Sequence, residues 1–102
     1  MEIKKIQKIT DDWIKKYTNG YWKPNNIMLR LMEEVGELAR EVNHKYGEKP
    51  PKPGEKDKDI GDEAADVLFT LICLVNSLDV DLEESFRKVI EKYEDRDANR
   101  HH

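Results

Sequence analysis

The chain has 102 residues and a formal net charge of -4, with 37% hydrophobic and 39% charged residues. This length predicts one domain, residues 1–102, with a thin core, because a chain of this size buries only about 60 to 65% of its unfolded surface. The interspersed charges argue against the basic patch that binding to a nucleic acid polymer requires. Cys73 is the single cysteine, which excludes an internal disulfide and favours a reducing, cytoplasmic location.

The first two predicted helices lie before the middle of the chain. Hydrophobic residues recur at threes and fours over residues 2–17, which predicts an amphipathic helix. Pro24 suits the first turn of a second helix over residues 24–46, where its missing N–H would have no partner in any case. Gly47 is expected to end that helix in the left-handed conformation. His44, late on the second helix, is expected at the surface.

A solvated connector over residues 47–58 is predicted next, because it contains three prolines and mostly charged residues, and we expect an idle loop. A third helix over residues 59–77 has the most hydrophobic stripe and is expected to be the most buried. Its apolar run, residues 67–75, is too short to span a bilayer, so no membrane segment is expected. A fourth helix begins near Asp81, which with Glu84 forms a capping-box pattern. The fold class is therefore all-α, with four helices.

Two pairs of acidic residues carry the functional prediction. Glu34 and Glu37 are three residues apart on the second helix, so their side chains lie on neighbouring turns of one face. Glu63 and Asp66 repeat this spacing on the third helix. Both pairs border the apolar stripe of their helix, and Glu34 has no obvious basic partner nearby in the sequence. The two pairs are therefore expected to converge where the helices pack.

Four carboxylates in a partly dry seam repel one another, so protons or cations must neutralise them. Oxygen ligands without histidine or thiolate select hard cations, Mg2+ first and Mn2+ second. Such a cation can bind triphosphate oxygens and activate a bound water. The pattern alone therefore indicates a metal-dependent hydrolase, whereas a single acidic pair would more often be a solvated helix face.

The same segments resemble a known family. The runs EEVGEL at residues 33–38 and EAADVLF at residues 63–69 are similar to the paired acidic motifs of the MazG-like all-α nucleoside triphosphate pyrophosphohydrolases. Residues 36–44 and 74–78 add to the resemblance, which extends over nearly the whole chain. It implies a MazG-like four-helix bundle completed by homo-oligomerisation, as a homodimer or homotetramer. It also implies Mg2+-dependent, house-cleaning hydrolysis of (deoxy)nucleoside triphosphates to the monophosphate and pyrophosphate.

The resemblance assigns roles residue by residue. The metal ligands fall on Glu34, Glu37, Glu63 and Asp66. Glu33 or Glu37 is the expected acceptor of the proton from the attacking water, which makes these two the catalytic candidates. The substrate contacts that the resemblance implies come from the fourth helix, the end of the third helix and the turn before the second, namely Lys92, Arg96, Asn76 and Trp22. Ile90 departs from the asparagine that many members carry, which affects the expected phosphate or sugar contacts.

Several of these residues also have a plainer structural explanation. Lys92 and Arg96 equally fit charge balance at a helix C-terminus, and Trp13, a second candidate for stacking on the base, better fits core packing. Cys73 is expected to be a small buried hydrophobe. For the whole chain, the alternatives are a phosphoribosyl-ATP pyrophosphohydrolase and a non-catalytic helical interaction module. The preferred base and sugar are not specified by the sequence, nor is the origin of His101 and His102.

Overall fold

The protein is described by a computed structural model that covers the backbone of residues 2–100 and the side chains of residues 2–97. His101 and His102 lie outside the described residues. Within them the chain forms four helices and no strand, which confirms the all-α prediction. The helices are α1 (Ile3–Tyr17), α2 (Pro24–Tyr46), α3 (Ile60–Ser77) and α4 (Leu82–Arg100). None of these four helices is long and apolar enough to cross a membrane.

Side chains and a proline fix where three of the helices begin. Pro24 occupies the first turn of α2, as predicted. Asp59 caps α3 by accepting a hydrogen bond from the backbone N–H of Asp62 at 3.1 Å. Asp81 accepts one from the N–H of Glu84, also at 3.1 Å, which confirms the predicted cap of α4.

The prediction for the end of α2 was wrong in its geometry. Gly47 follows α2 with φ -93° and ψ -171°, which is extended backbone and not the left-handed conformation. Its N–H donates to the carbonyl oxygen of Asn43 at 2.8 Å. A Cβ atom at position 47 would overlap the Asn43 side chain and lie 2.6 Å from that carbonyl oxygen. Glycine is therefore required here by a close approach and not by a positive φ.

The core lies where α3 packs between α2 and α1. Ile14, Ile27 and Cys73 form its buried centre, with Tyr21 and Leu74 packed against it. Cys73 is 7% exposed, as expected for a buried thiol, and burial raises its pKa. The third helix, which was expected to be the most buried, contacts both α1 and α2 and contains Ile72, which is 1% exposed.

A polar network joins α1 to the turn before α4. The Gln7 amide donates to the Asn76 side-chain oxygen at 2.8 Å and to the Val80 carbonyl oxygen at 2.9 Å, and its oxygen accepts from the N–H of Leu82 at 3.1 Å. The Asn76 amide donates to the Gln7 carbonyl oxygen at 2.9 Å and to the Tyr21 hydroxyl at 3.0 Å. Because these bonds satisfy both the N–H groups and the oxygen of the Gln7 and Asn76 side-chain amides, they fix the turn against α1.

The fourth helix leaves an apolar stripe uncovered in the single chain. It packs against α1, and the molecule is flat, with extents of 49 × 48 × 23 Å. Four hydrophobic residues along α4 are between 40% and 43% exposed: Phe86, Val89, Ile90 and Tyr93. A surface of this kind is typical of a protein–protein contact.

The connector between α2 and α3 is mostly exposed, but it makes two contacts with the end of α2. The N–H of Lys58 donates to the Glu41 carboxylate at 3.2 Å. The His44 side chain lies between Glu41 and Glu55 and is only 7% exposed. The expectation that His44 is a surface residue was therefore wrong, because the connector folds over its ring.

Candidate functional site

Three of the predicted carboxylates lie together between α2 and α3. Glu34, Glu37 and Glu63 each offer one oxygen, and these oxygens all lie within 4.8 Å of one another. The spacing of three on α2 puts two of them on one face, and the packing of α3 on α2 brings the third. Glu34 and Glu63 are each 5% exposed, whereas Glu37 is half-buried. We refer to Glu34, Glu37 and Glu63 as the carboxylate cluster.

Glu63 shows that the cluster lacks a full set of partners. Its Oε2 atom is buried and has no hydrogen-bond partner among the described residues. Burial raises the pKa of Glu63, and the charges of Glu37, Asp66 and Glu34 raise it further. The Lys58 ammonium, 4.0 Å from Oε1, opposes this shift. A buried carboxylate with an unused oxygen among other carboxylates is the arrangement that a bound cation would stabilise.

Glu34 has a basic partner that the sequence reading overlooked. The Nε atom of Arg30 lies 2.9 Å from Glu34 Oε1, one helical turn away, so the expectation of no local partner was wrong. The same guanidinium donates a hydrogen bond to Glu33 at 3.5 Å, and Glu33 is exposed. Arg30 and Lys58 therefore place two positive charges at the edge of the carboxylate cluster.

Asp66, the fourth predicted ligand, lies beside the carboxylate cluster and not within the group of three. Its side chain is exposed, and its carbonyl oxygen accepts a hydrogen bond from the Thr70 hydroxyl at 2.8 Å. It lines the same cavity as Glu34, and its charge acts on Glu63. The structure therefore brings all four predicted carboxylates to one seam, three of them closely.

A cavity of about 370 Å³ adjoins the carboxylate cluster. Three charged residues line it, Glu34, Asp66 and Arg30, and the rest of the lining is mainly apolar and aromatic. Its remaining lining residues are Trp13, Ile14, Thr18, Gly20, Tyr21, Trp22, Ile27, Phe69, Thr70 and Cys73. An apolar cleft with a few charged groups at one edge suits a ligand with a flat ring and an anionic end.

The two tryptophans line this cavity differently. Trp13 packs edge-on against Phe69, with ring centroids 5.7 Å apart, and so takes part in the packing of α1 on α3. Trp22 lies in the turn before α2 and is 63% exposed. The described residues include no aromatic ring stacked with Trp22. Its indole face is therefore available to a ligand in the cavity.

The other predicted substrate contacts lie elsewhere in this chain. Lys92 and Arg96 are on α4, where both cations lie over the Tyr93 ring, at 5.9 and 4.7 Å from its centroid. Neither lines the cavity. The Asn76 amide is engaged with Gln7 and Tyr21. Their assignment as substrate ligands stays a prediction.

The residues present fit a hard divalent cation. The donors are carboxylate oxygens without nitrogen or sulfur, which is the set that Mg2+ and Mn2+ prefer. The buried Oε2 of Glu63, which has no hydrogen-bond partner in the described part of the chain, is an available ligand atom. Sequence reasoning found the acids from their spacing but missed Arg30 and Lys58. Arg30 could have been found from its spacing of four to Glu34, whereas Lys58 depends on the path of the connector.

Comparison with known proteins adds an independent result. The family model described as the MazG nucleotide pyrophosphohydrolase domain matches residues 23–101. The uncharacterized protein YpjD of Bacillus subtilis strain 168 is 52% identical over 98 residues, which cover 96% of this chain and 88% of that protein.

Two solved structures are similar as well. The crystal structure of YPJD from Bacillus subtilis, which its description assigns provisionally to the pyrophosphatases, has a TM-score of 0.78 and 53% identity, covering 88% of this chain and 92% of that one. A MazG protein conserved in Bacillus, described as a nucleotide pyrophosphohydrolase, has a TM-score of 0.75 and 46% identity, covering 88% and 86%.

Proposed function

Because this chain belongs to the MazG nucleotide pyrophosphohydrolase family, and is therefore a hydrolase that acts on nucleotides, we propose that it converts (deoxy)nucleoside triphosphates to the monophosphate and pyrophosphate with Mg2+. The observation that carries this proposal is the carboxylate cluster, whose three oxygens lie within 4.8 Å at the edge of a largely apolar cavity. A cation held by the carboxylate cluster would neutralise the charge of a triphosphate, and the apolar cavity suits the nucleotide base.

The proposed metal ligands are Glu34, Glu37, Glu63 and Asp66. Bound Mg2+ would neutralise phosphate charge and polarise the phosphorus–oxygen bonds, and Mn2+ is the second choice. Within this proposal, Glu33 or Glu37 accepts the proton of a water that attacks the α-phosphorus. The bond from that phosphorus to its bridging oxygen breaks, and pyrophosphate leaves.

Arg30 joins the proposed site because of its position between the acids and the cavity. It lies 2.9 Å from Glu34 and lines the cavity. Once Glu34 is neutralised by a cation, the guanidinium no longer has its strongest partner and is available to bind a phosphate through two parallel hydrogen bonds. Arg30 would thereby exchange one anion for another without leaving the site.

Trp22 is the proposed support for the base. Its ring lies at the cavity edge and is more exposed than that of Trp13, which packs against Phe69. Stacking of a base on an aromatic ring contributes about 1 to 3 kcal/mol. We assign the base to Trp22 and a structural role to Trp13.

A homo-oligomer, either a dimer or a tetramer, is part of the proposal. The exposed stripe of α4 provides an apolar surface that a second copy can cover. Lys92 and Arg96 lie on the same helix, away from the cavity of their own chain. We propose that they bind phosphate in the site of a partner copy.

The first experiment identifies the reaction and the substrate. A panel of common and damaged nucleoside triphosphates, together with phosphoribosyl-ATP, is incubated with Mg2+ in water enriched in oxygen-18. We expect pyrophosphate as the product and the label in the monophosphate, because attack at the α-phosphorus places the new oxygen there. Release of inorganic phosphate, or label in pyrophosphate, would contradict the mechanism. Exclusive turnover of phosphoribosyl-ATP would favour the alternative.

The second experiment tests action between copies. Glu37→Gln and the double variant Lys92→Ala with Arg96→Ala are each expected to lose most activity. Mixing the two after subunit exchange should restore activity, because one site of each mixed dimer contains every required residue. Glu91→Gln, at an exposed acid on α4, serves as the control. If the mixture stays inactive although mass spectrometry shows subunit exchange, Lys92 and Arg96 act in the site of their own chain or outside any site.

A further inference from the structure

A second group of possible metal ligands lies near the C-terminal end of α2, where the connector returns towards it. Glu41, His44 and Asp57 each offer one ligand atom, and these atoms all lie within 4.8 Å of one another. Glu41 is 3% exposed, and Asp57 comes from the exposed connector. This group contains none of the four acids of the proposed hydrolytic site.

His44 supplies an observation beyond the cluster of acids. Its side chain is 93% buried, and its Nδ1 atom has no hydrogen-bond partner among the described residues. Nδ1 faces Glu41 Oε2 at 3.8 Å, which is beyond hydrogen-bond range. A buried imidazole nitrogen without a partner costs stability, so its orientation towards a carboxylate requires an explanation.

The opposite nitrogen of the ring faces another carboxylate. Nε2 of His44 lies 3.9 Å from Glu55 Oε2. When a histidine binds a metal through one nitrogen, the other commonly donates its N–H to a carboxylate, which fixes the ring and makes it a better ligand. Glu41 faces Nδ1 of His44 and Glu55 faces Nε2, which is that order of groups, and a shortening of the 3.9 Å contact would complete the hydrogen bond to Glu55.

The charged groups around Glu41 leave room for a cation. Arg40 Nε lies 3.9 Å from Glu41 Oε1, and the Lys58 N–H donates to Oε2 at 3.2 Å. A carboxylate has about four lone-pair positions, so these contacts do not exhaust it. Ligand atoms about 2.0 to 2.2 Å from Zn2+ lie roughly 3.4 Å apart, which is closer than the present separations of up to 4.8 Å. Asp57 lies on the exposed connector, so a small movement of its side chain can shorten these distances.

We propose that Glu41, His44 and Asp57 form a second divalent cation site that takes a nitrogen-seeking ion of the Zn2+ class, with Glu55 as the residue that orients His44. One imidazole nitrogen and two carboxylate oxygens select such an ion over Mg2+. The site joins the connector to α2. Lys58, which follows Asp57, places its ammonium 4.0 Å from Glu63, so an ion here also holds a positive charge at the carboxylate cluster.

Zn2+ titration of the full chain, followed through the side-chain nitrogen resonances of histidine in NMR spectra, tests the site without measuring activity. The His44 signals are identified by their absence in His44→Gln. We expect Zn2+, in the presence of excess Mg2+, to shift Nδ1 of His44 in the direction typical of metal coordination and to leave Nε2 protonated. Mg2+ alone should cause no such shift.

Three variants give the expected pattern. Asp57→Asn, at an exposed position that should not impair folding, is expected to weaken Zn2+ binding at His44 at least tenfold. Glu55→Gln is expected to weaken it about 10- to 100-fold. Glu48→Gln, at an exposed acid of the same connector, should have no effect. The proposal is overturned if His44 responds to pH but not to Zn2+, or if Zn2+ shifts only His101 and His102. Either result is independent of whether the hydrolytic proposal holds.

Discussion

Replacing Glu37 by glutamine should make the metal-free protein more stable. In the absence of a cation, the carboxylates of Glu37 and Glu34 lie within 4.8 Å. Two unit charges at that distance repel by about 1 kcal/mol in water and about 3.5 kcal/mol at an effective dielectric constant of 20. Because Glu37 is half-buried, we expect a gain near the lower figure. This corresponds to a melting temperature roughly 4 to 8 °C higher for a domain of this size.

The same substitution should reduce the stabilisation by Mg2+. A ligand at one hundred times its dissociation constant stabilises the native state by about 2.7 kcal/mol. If the lost ligand weakens Mg2+ binding 10- to 100-fold, the same concentration contributes only about 0.4 to 1.4 kcal/mol. Thermal unfolding at fixed protein concentration, with and without Mg2+, measures both effects, and Glu91→Gln should resemble the wild type. A Glu37→Gln variant that is less stable without metal and keeps its full response to Mg2+ would refute the reasoning.

Other predictions concern single residues. The pKa of Glu63 is raised in the fold, so the native metal-free protein binds its proton more tightly than the unfolded chain, and stability should fall as the pH rises above 4.5. Glu63→Gln should make the free energy of unfolding, measured with denaturant, less dependent on pH between pH 4 and 7. If the pH dependence is unchanged in this variant, other groups cause it. Trp22→Ala should raise KM severalfold while leaving the unfolding midpoint nearly unchanged, because the ring is exposed. Gly47→Ala should destabilise the fold by about 1 to 3 kcal/mol in urea unfolding, because its Cβ meets Asn43. Gly36→Ala, where a Cβ meets nothing within 4 Å, should instead stabilise α2 by about 0.5 to 1 kcal/mol.

The helices were predictable because their signals are local. The period of the hydrophobic residues located all four, and Pro24 and Asp81 marked two of their starts to within a residue. The grouping of Glu34 with Glu37 follows from helical geometry alone. Their meeting with Glu63 required one further inference, that two apolar stripes bordered by acids pack on each other, and the structure brings these three together.

The burial of His44 and the position of Lys58 depend on chain paths that no local pattern encodes, whereas the missed contact of Arg30 has a local signal in its spacing of four to Glu34. His44 looked like a surface residue because nothing in its neighbourhood indicates that Glu55 and the rest of the connector return over it. Lys58 reaches Glu63 for the same reason. Gly47 was expected to follow the usual rule for helix ends, but its backbone is extended, and a side chain there would meet Asn43. In the proposed oligomer, the positions of Lys92 and Arg96 relative to a substrate would depend on a second copy, which one sequence does not place.

The position of the cation is the most direct test of the central proposal. Crystals grown with Mn2+ and a nucleoside triphosphate analogue whose α–β bridging oxygen is replaced by an imido group would locate the ion by anomalous scattering. We expect an anomalous peak bounded by Glu34, Glu37 and Glu63, with the base of the analogue against Trp22. A peak elsewhere, or an analogue bound with its phosphates away from these three carboxylates, would contradict it.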